Sequence, residues 1–279
     1  MLRFDKYLCE QYPEFTRSQI VAAIKRGDFT VNAQKVKAGY ELRASDVVAG
    51  QMQPVVMTAE PEALALDVVY EDEHLMVINK PRGMVVHPGA GVKSGTVLNA
   101  LLGRGQCHLE RAGIVHRLDK NTAGLLVIAK TVTCQGLLAK MFEKHMIRRT
   151  YWGLVEGKVA SDMTIDKNII RHPQHRTIFT VTEQGGRRAI THLRVLERYA
   201  RHTLCEFTLE TGRTHQIRVH CKAIHHPIVN DPEYNSGNGQ MLEAVRLDFT
   251  HPITKIPLHL EIAPTKEFAD RREKCYYLK

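Results

Sequence analysis

The tightest constraint on this chain is a short stretch in which a charged segment runs straight into an apolar one. It reads His116-Arg117-Leu118-Asp119-Lys120-Asn121-Thr122-Ala123-Gly124, then Leu125-Leu126-Val127-Ile128-Ala129 and Lys130. An apolar run this short, bounded by Gly124 and Lys130, predicts a buried strand over 125–129. Asp119 then stands on a loop that a core strand holds in place. Neighbouring cations keep a carboxylate ionised, and Arg117, Lys120 and His116 lie within three residues of it. An ionised acid suits a nucleophile or a base, although for an isolated Asp beside Arg a structural ion pair is the commoner case.

Length and charge bound the rest. A chain of 279 residues has room for one large domain and one small one. The net charge of +9 points to a polyanionic partner, nucleic acid first. Cations cluster between 171 and 202, where seven Arg face only Glu183 and Glu197. A one-sided cluster of that kind reads as an electrostatic footprint rather than a solvated face of mixed charge. The six Cys form no Cys-x-x-Cys pair, which speaks against a zinc site or a disulfide framework and fits a reducing cytosol. No apolar run approaches transmembrane length and the N-terminus has no signal core, so a cytoplasmic protein off the membrane is expected. His215 and His220 lack a Cys or acidic partner at ligand spacing, so no metal is expected. Gly91-Val92-Lys93-Ser94 lacks the final Gly of a phosphate-binding loop, so neither is a nucleotide cofactor.

The first fifty residues read as a separate small domain. Thr16-Arg17-Ser18-Gln19 predicts a capping-box start, Ile20, Val21 and Ile24 an apolar stripe, and Gly27 after Lys25-Arg26 a helix end. Residues 29–32 follow as a short strand. Arg17, Lys25 and Arg26 are candidates to meet phosphates. Residues 51–64 hold two Pro and no Lys or Arg and read as a linker. Beyond it, residues 65–279 form the larger domain. A strand is predicted at 75–78, closed by Lys80-Pro81. A helix follows over 133–146, with Leu137, Leu138, Met141 and Phe142 in the core. Residues 205–210 alternate as a half-buried strand. Strands separated by irregular loops, with few helices, predict an α+β fold with a mixed, mainly antiparallel sheet.

The stretch around Asp119 resembles the signature of the RluA-type pseudouridine synthases, whose catalytic residue is the Asp of His-Arg-Leu-Asp. The resemblance extends over 70–88, 148–157 and 209–234. Arg111-Ala112-Gly113-Ile114-Val115-His116 and the run Glu210-Thr211-Gly212-Arg213-Thr214-His215-Gln216-Ile217-Arg218 are most similar to the branch that modifies large-subunit (23S) ribosomal RNA. Arg3-Phe4-Asp5, Thr16-Arg17-Ser18, Val31-Asn32-Ala33 and Ser45-Asp46 resemble the S4 RNA-binding domain, with Ala33 and Ser45 where Gly is usual.

The resemblance implies an isomerase that needs no cofactor, with ribosomal RNA or an assembling large ribosomal subunit as partner, acting as a monomer. A transfer RNA synthase of the same fold, or a non-catalytic assembly factor, are the alternatives. It implies Asp119 as the catalytic acid and Tyr151, opening a strand, as the residue against the target base. Arg213 is expected to pair with Asp119, with Arg218 as the alternative. Arg117 is expected to fill the gap left by a flipped base and Ile217 to pack under that base. His116 stands beside them in the flipping group, with a structural hydrogen bond as its expected role. In the segment 225–234, His225 and Asn230 stand where the family commonly has Gly. Leu242-Glu243-Ala244 departs from the usual Leu-His-Ala.

Overall fold

The structure, a computed structural model, describes residues 2–13, 15, 17–52, 59–89, 91–106, 109–175 and 177–277. The N-terminal residues form strand β1 (Leu2–Arg3), helices α1 (Phe4–Gln11) and α2 (Arg17–Arg26), then β2 (Phe29–Val31), β3 (Glu41–Leu42) and β4 (Val48–Gly50). They close over a core of their own built from Phe4, Leu8, Ile20, Ala23, Ile24, Phe29 and Val31. Thr16, the proposed cap of α2, lies outside the described residues. Ala33 takes the left-handed conformation that Gly would supply, at φ 61°, so the turn after β2 keeps its shape at some strain. Residues 59–64, within the stretch read as a linker, pack on the larger domain: Glu62 N donates to Asn99 O at 3.0 Å and Ala59 joins the core.

The larger unit is built on one mixed sheet. Its strands are β5 (Asp67–Glu71), β6 (Leu75–Lys80), β7 (Ala123–Ala129), β8 (Arg148–Glu156), β9 (Met163–Asp166), β12 (Ile190–Arg198), β13 (His202–Leu209), β14 (Leu242–Thr250) and β15 (Pro257–Glu261). Between them, β10 (Asn168–Arg171) and β11 (Phe179–Thr182) pair as a separate hairpin. The order is β5-β6-β7-β14-β8-β13-β12-β9, with β15 on β14; among the described residues the one parallel pair is β7 with β14. Helices α3 (Val97–Gly103), α4 (Val132–Glu143), α5 (Gln216–Ala223) and α6 (Lys266–Tyr277) complete it. The expected α+β architecture is present.

The central strands are apolar throughout because both faces are covered. On β6 and β7, Met76, Ile78, Leu126 and Ile128 face the core that contains α3. Leu75, Val77, Leu125 and Val127 face the one that contains Leu138 and Met141 of α4. Each fully buried Leu, Ile or Val stabilises the fold by about 1.5–3 kcal/mol. Strand β13 is more deeply buried than its alternation predicts. Glu206 is only 8% exposed because Arg194 covers its carboxylate at 3.0 Å.

A strand buried on both faces can slip by one residue without exposing apolar surface, so its register needs another anchor. Gly124 supplies it. Its φ is +112°, and an added Cβ would lie 2.2 Å from Ala244 O on β14. Gly124→Ala is therefore expected to destabilise the protein by about 2–4 kcal/mol, since neither strain nor a backbone clash can relax cheaply. A denaturant titration of the two proteins checks this; a loss under about 1 kcal/mol would mean that the β7–β14 contact adapts.

Candidate active site

The loop after β6 and the loop before β7 meet at Lys80. This side chain is fully buried, and its ammonium donates to the carbonyls of Pro81 (2.9 Å), Met84 (2.8 Å) and Lys120 (3.1 Å). Burial pulls its pKa down to about 7, while the charge of Asp119 acts the other way. Lys80 therefore ties down the residue next to Asp119, a role that its place at a strand end did not reveal. Thr122 N closes a turn onto Asp119 O at 3.1 Å.

The partner of Asp119 is Arg218, the alternative of the two expected. Arg218 Nη1 donates to Asp119 Oδ2 at 3.1 Å. Arg213 turns away, and its Nε donates to the carbonyl of Arg188 at 3.1 Å. The reason is helical geometry. Arg218 is the third residue of α5 and points inward at 3% exposure, whereas Arg213 lies before the helix begins. Gln216 fixes that preceding loop, accepting from Thr211 Oγ1 (2.7 Å) and Arg213 N (3.0 Å) and donating to Ile190 O (2.9 Å).

Arg218 is itself gripped by two further carboxylates. Asp231, fully buried, takes Nε at 2.7 Å and Nη2 at 2.8 Å, and Glu233 accepts from Nη2 as well. Burial disfavours the guanidinium's charge, but the bonds to Asp231 and the charges of Asp119, Asp231 and Glu233 outweigh it and raise the pKa of Arg218. The ring of Tyr234 lies 5.0 Å from the guanidinium. His215 completes the cluster. Its Nδ1 meets Tyr234 Oη at 2.9 Å and its Nε2 lies 3.9 Å from Asp119 Oδ2. It caps α5 from the left-handed region at φ 57°, an uncommon conformation for His. Burial lowers its pKa, with Arg218 acting in the same direction.

A cavity of about 100 Å³ opens beside this cluster, lined among others by Arg117, Asp119, Arg149, Tyr151, Ile217 and Arg218. Tyr151 does not open its strand. It is the fourth residue of β8, paired with Phe207 on one side and Ala244 on the other, and 6% exposed. Burial raises its phenol pKa, and Asp119 adds to this. Ile217 is buried at the start of α5, and Arg117 is exposed at the cavity's edge.

His116 makes the structural hydrogen bond expected of it and does not line the cavity. Its Nε2 accepts from Val127 N at 2.8 Å, its ring stacks on Phe142 at 4.3 Å, and burial pulls its pKa down to about 3. It fastens the loop to β7 and stays neutral. Gly212 leaves room for the Arg149 side chain: an added Cβ would lie 2.9 Å from Arg149 Nη1. Arg149, Asp231, Glu233 and His215 join the site in addition to the expected residues. The Asp-Pro turn at 231–232 was the available signal for Asp231, whose Oδ1 also accepts from the amides of Glu233 and Tyr234. Asn230 and His225 both adopt positive φ, 59° and 62°, so these substitutions for Gly preserve the turn.

The other cationic candidates are partly committed elsewhere. Arg17 binds the buried Asp5 at 2.6 Å and Arg26 binds Asp28 at 2.5 Å, while Lys25 is exposed. In the cluster at 171–202, Arg188 pairs with Asp166, Arg194 with Glu206, and Arg198 holds the carbonyls of Val159 and Ala160. The electrostatic footprint there is smaller than the count of Arg suggests.

Comparison with known proteins decides the family. Residues 74–223 match the RNA pseudouridylate synthase family and residues 2–48 the S4 domain. The chain belongs to the RNA pseudouridylate synthase family. It is thus an isomerase of uridine in RNA, carrying an S4 domain. It is 40% identical to ribosomal large subunit pseudouridine synthase D of Xylella fastidiosa, over 95% of this chain and 86% of that protein. It is 42% identical to the protein of the same name from Nitrosomonas europaea, over 90% of this chain and 78% of that one. The solved structure of human RNA pseudouridylate synthase domain containing 1 shares the fold, with a TM-score of 0.60 over 77% of this chain and 96% of that one at 24% identity.

The buried charges predict a sharp contrast between the two arginines. Arg218→Ala strands Asp231 without its cation and is expected to cost about 3–5 kcal/mol of stability. Arg213→Ala removes one bond to a backbone carbonyl and should cost about 1 kcal/mol. Thermal or chemical unfolding of the two variants measures the difference. Equal losses would mean that Arg218's ion pairs are not the stronger link.

Proposed function

We propose that this pseudouridine synthase converts selected uridines of large-subunit ribosomal RNA, with Asp119 as the catalytic carboxylate. The observation that carries the reading is Asp119 itself, a carboxylate at a cavity edge, held at one oxygen by a buried Arg218. Arg218 and His215 both approach Oδ2, and among the described residues no hydrogen bond reaches Oδ1. That oxygen is left for the reacting nucleotide. The reaction breaks the C1′–N1 bond, turns the uracil and rejoins it through C5, the C5 proton being lost and N1 taking one up. Asp119 begins it either by attack at C1′ or by taking the 2′ proton to give a glycal. Being an isomerisation, it needs no energy source or redox cofactor.

Tyr151 gives the cavity a flat ring on which a uracil can stack, and Ile217 an apolar floor. Arg117 fills the gap left by the flipped nucleotide. Arg213 serves the RNA rather than the carboxylate. The names of the relatives from Xylella fastidiosa and Nitrosomonas europaea support ribosomal over transfer RNA. We further take residues 1–50 as the RNA-gripping domain, 51–64 as the connection and 65–279 as the catalytic domain, in a cytoplasmic monomer without nucleotide cofactor.

Asp119→Asn should abolish tritium release from labelled uridine in a large-subunit RNA transcript while RNA binding persists. Activity within about tenfold of the unmodified protein, only about 1.4 kcal/mol of barrier, would remove Asp119 from the chemistry. Release from transfer RNA alone would move the substrate to that class. For the N-terminal domain, Lys25→Glu with Arg26→Glu should weaken RNA binding and flatten its log–log salt dependence by about two units, one per phosphate contact. The loss should fall on Kd rather than on the single-turnover rate at saturating RNA. An unchanged salt slope would show that this helix does not touch phosphates.

A further inference from the structure

Each residue that follows Asp119 in its loop is fastened from outside the loop. Lys80 and Gly83 N hold the carbonyl of Lys120, the latter at 2.9 Å. Gln240 Nε2 donates to Thr122 Oγ1 at 2.6 Å, with both side chains buried. Between them, Arg82 Nη1 donates to Asn121 O at 2.7 Å. Arg82 is 13% exposed, and a cation so placed needs a counter-charge. Glu243 provides it at 2.9 Å, from a side chain only 2% exposed. The second ion pair of Arg82, to Glu267 of α6 at 2.9 Å, is 56% exposed on the acidic side and contributes little.

Glu243 is anchored in turn. It lies on β14 opposite Ala123, just past the loop, and both its oxygens are used by Thr265: Oε1 accepts from the hydroxyl at 2.5 Å and Oε2 from the amide at 2.9 Å. Thr265 immediately precedes α6, whose Phe268 and Cys275 are buried in the main core. A continuous chain of bonds therefore runs from the C-terminal helix through Glu243 and Arg82 to the peptide two residues beyond Asp119. Glu243 is also the position at which this sequence leaves the family's usual Leu-His-Ala. A carboxylate balances Arg82 where a neutral ring would not.

We propose that Glu243 and Arg82 are positioning residues for the isomerisation: their buried ion pair sets the place of Asp119, and through Thr265 it makes the start of α6 part of the active-site frame. This rests on the reading of Asp119 as the catalytic carboxylate. Small displacements of a reacting group cost large factors in rate, so the effect belongs in turnover and not in affinity.

The test is single-turnover kinetics on full-length protein with a large-subunit RNA transcript, alongside RNA Kd and melting temperature. Glu243→Gln keeps the shape and removes the charge. Its rate at saturating RNA should fall at least about tenfold with Kd within about twofold. Glu243→His should be no better, because Arg82 still lacks its counter-charge. Arg82→Gln should fall likewise, and the double variant no further than the worse single one, because both act through one link. Arg82→Lys keeps a cation but cannot span Glu243 and Asn121 O together. It should also lose rate, and it decides the matter if Glu243→Gln does not fold. A folded Glu243→Gln or Arg82→Lys protein with a rate within twofold of the parent overturns the proposal. So do additive losses in the double variant, or a loss confined to Kd. Asp119→Asn is measured in parallel. If it stays active, the catalytic reading itself has failed. If it is inactive while Glu243→Gln is not, only the positioning role has.

Discussion

A single buried guanidinium organises this protein's site. Arg218 faces Asp119, Asp231 and Glu233 at once, and three carboxylates around one cation leave the cluster with excess negative charge. Such an arrangement is unfavourable unless each charge is hydrogen-bonded as well as paired. Asp231 satisfies that condition by also accepting from two backbone amides, so it binds Arg218 as a rigid, two-point partner. Asp119 is held more lightly, at one oxygen. The tightly held acid orients the cation, and the cation steadies the acid that has an open oxygen.

That division explains why the surrounding segments are irregular but fixed. The loop bearing Asp119 cannot pair into the sheet, so its backbone polar groups must find partners elsewhere. Lys80 and Arg82 supply them from the segment after β6, and Gln240 holds the Thr122 hydroxyl from a second segment. His116 does the same at the near end by accepting from Val127 N. The strain at His215, in the left-handed region, sits where the helix carrying Ile217 and Arg218 must begin abruptly. Rigid elements thus aim the side chains, and the loops between them are short of freedom on every side.

The N-terminal domain follows different physics. It has its own apolar core, and its cations are partly spent on internal pairs such as Arg17 with the buried Asp5. The same holds for the Arg cluster beyond 171, where several side chains are paired to carboxylates or strand carbonyls. Net charge is a property of the whole chain, whereas an RNA surface needs cations that are exposed and uncommitted.

The sequence by itself determined the elements with strong local signals. The run at 125–129 had to be a buried strand because nothing in it could face water, and the acid before it had to sit on a loop. Motif resemblance was enough for the α+β architecture and the family, since it reads residue types in order and needs no contacts. Only the tertiary structure decided who meets Asp119. Arg213 and Arg218 are five residues apart and chemically alike, and the start of α5 at Gln216 is what turns one onto Asp119 and leaves the other on the cavity wall, bound to the Arg188 carbonyl. It likewise decided that Tyr151 lies within a strand, that His116 faces the core, and that Lys80, Glu243 and Asp231 support the site. Those residues act across separations of up to 161 positions in the chain, and such pairings are set by how strands order themselves in the sheet, which local sequence does not encode.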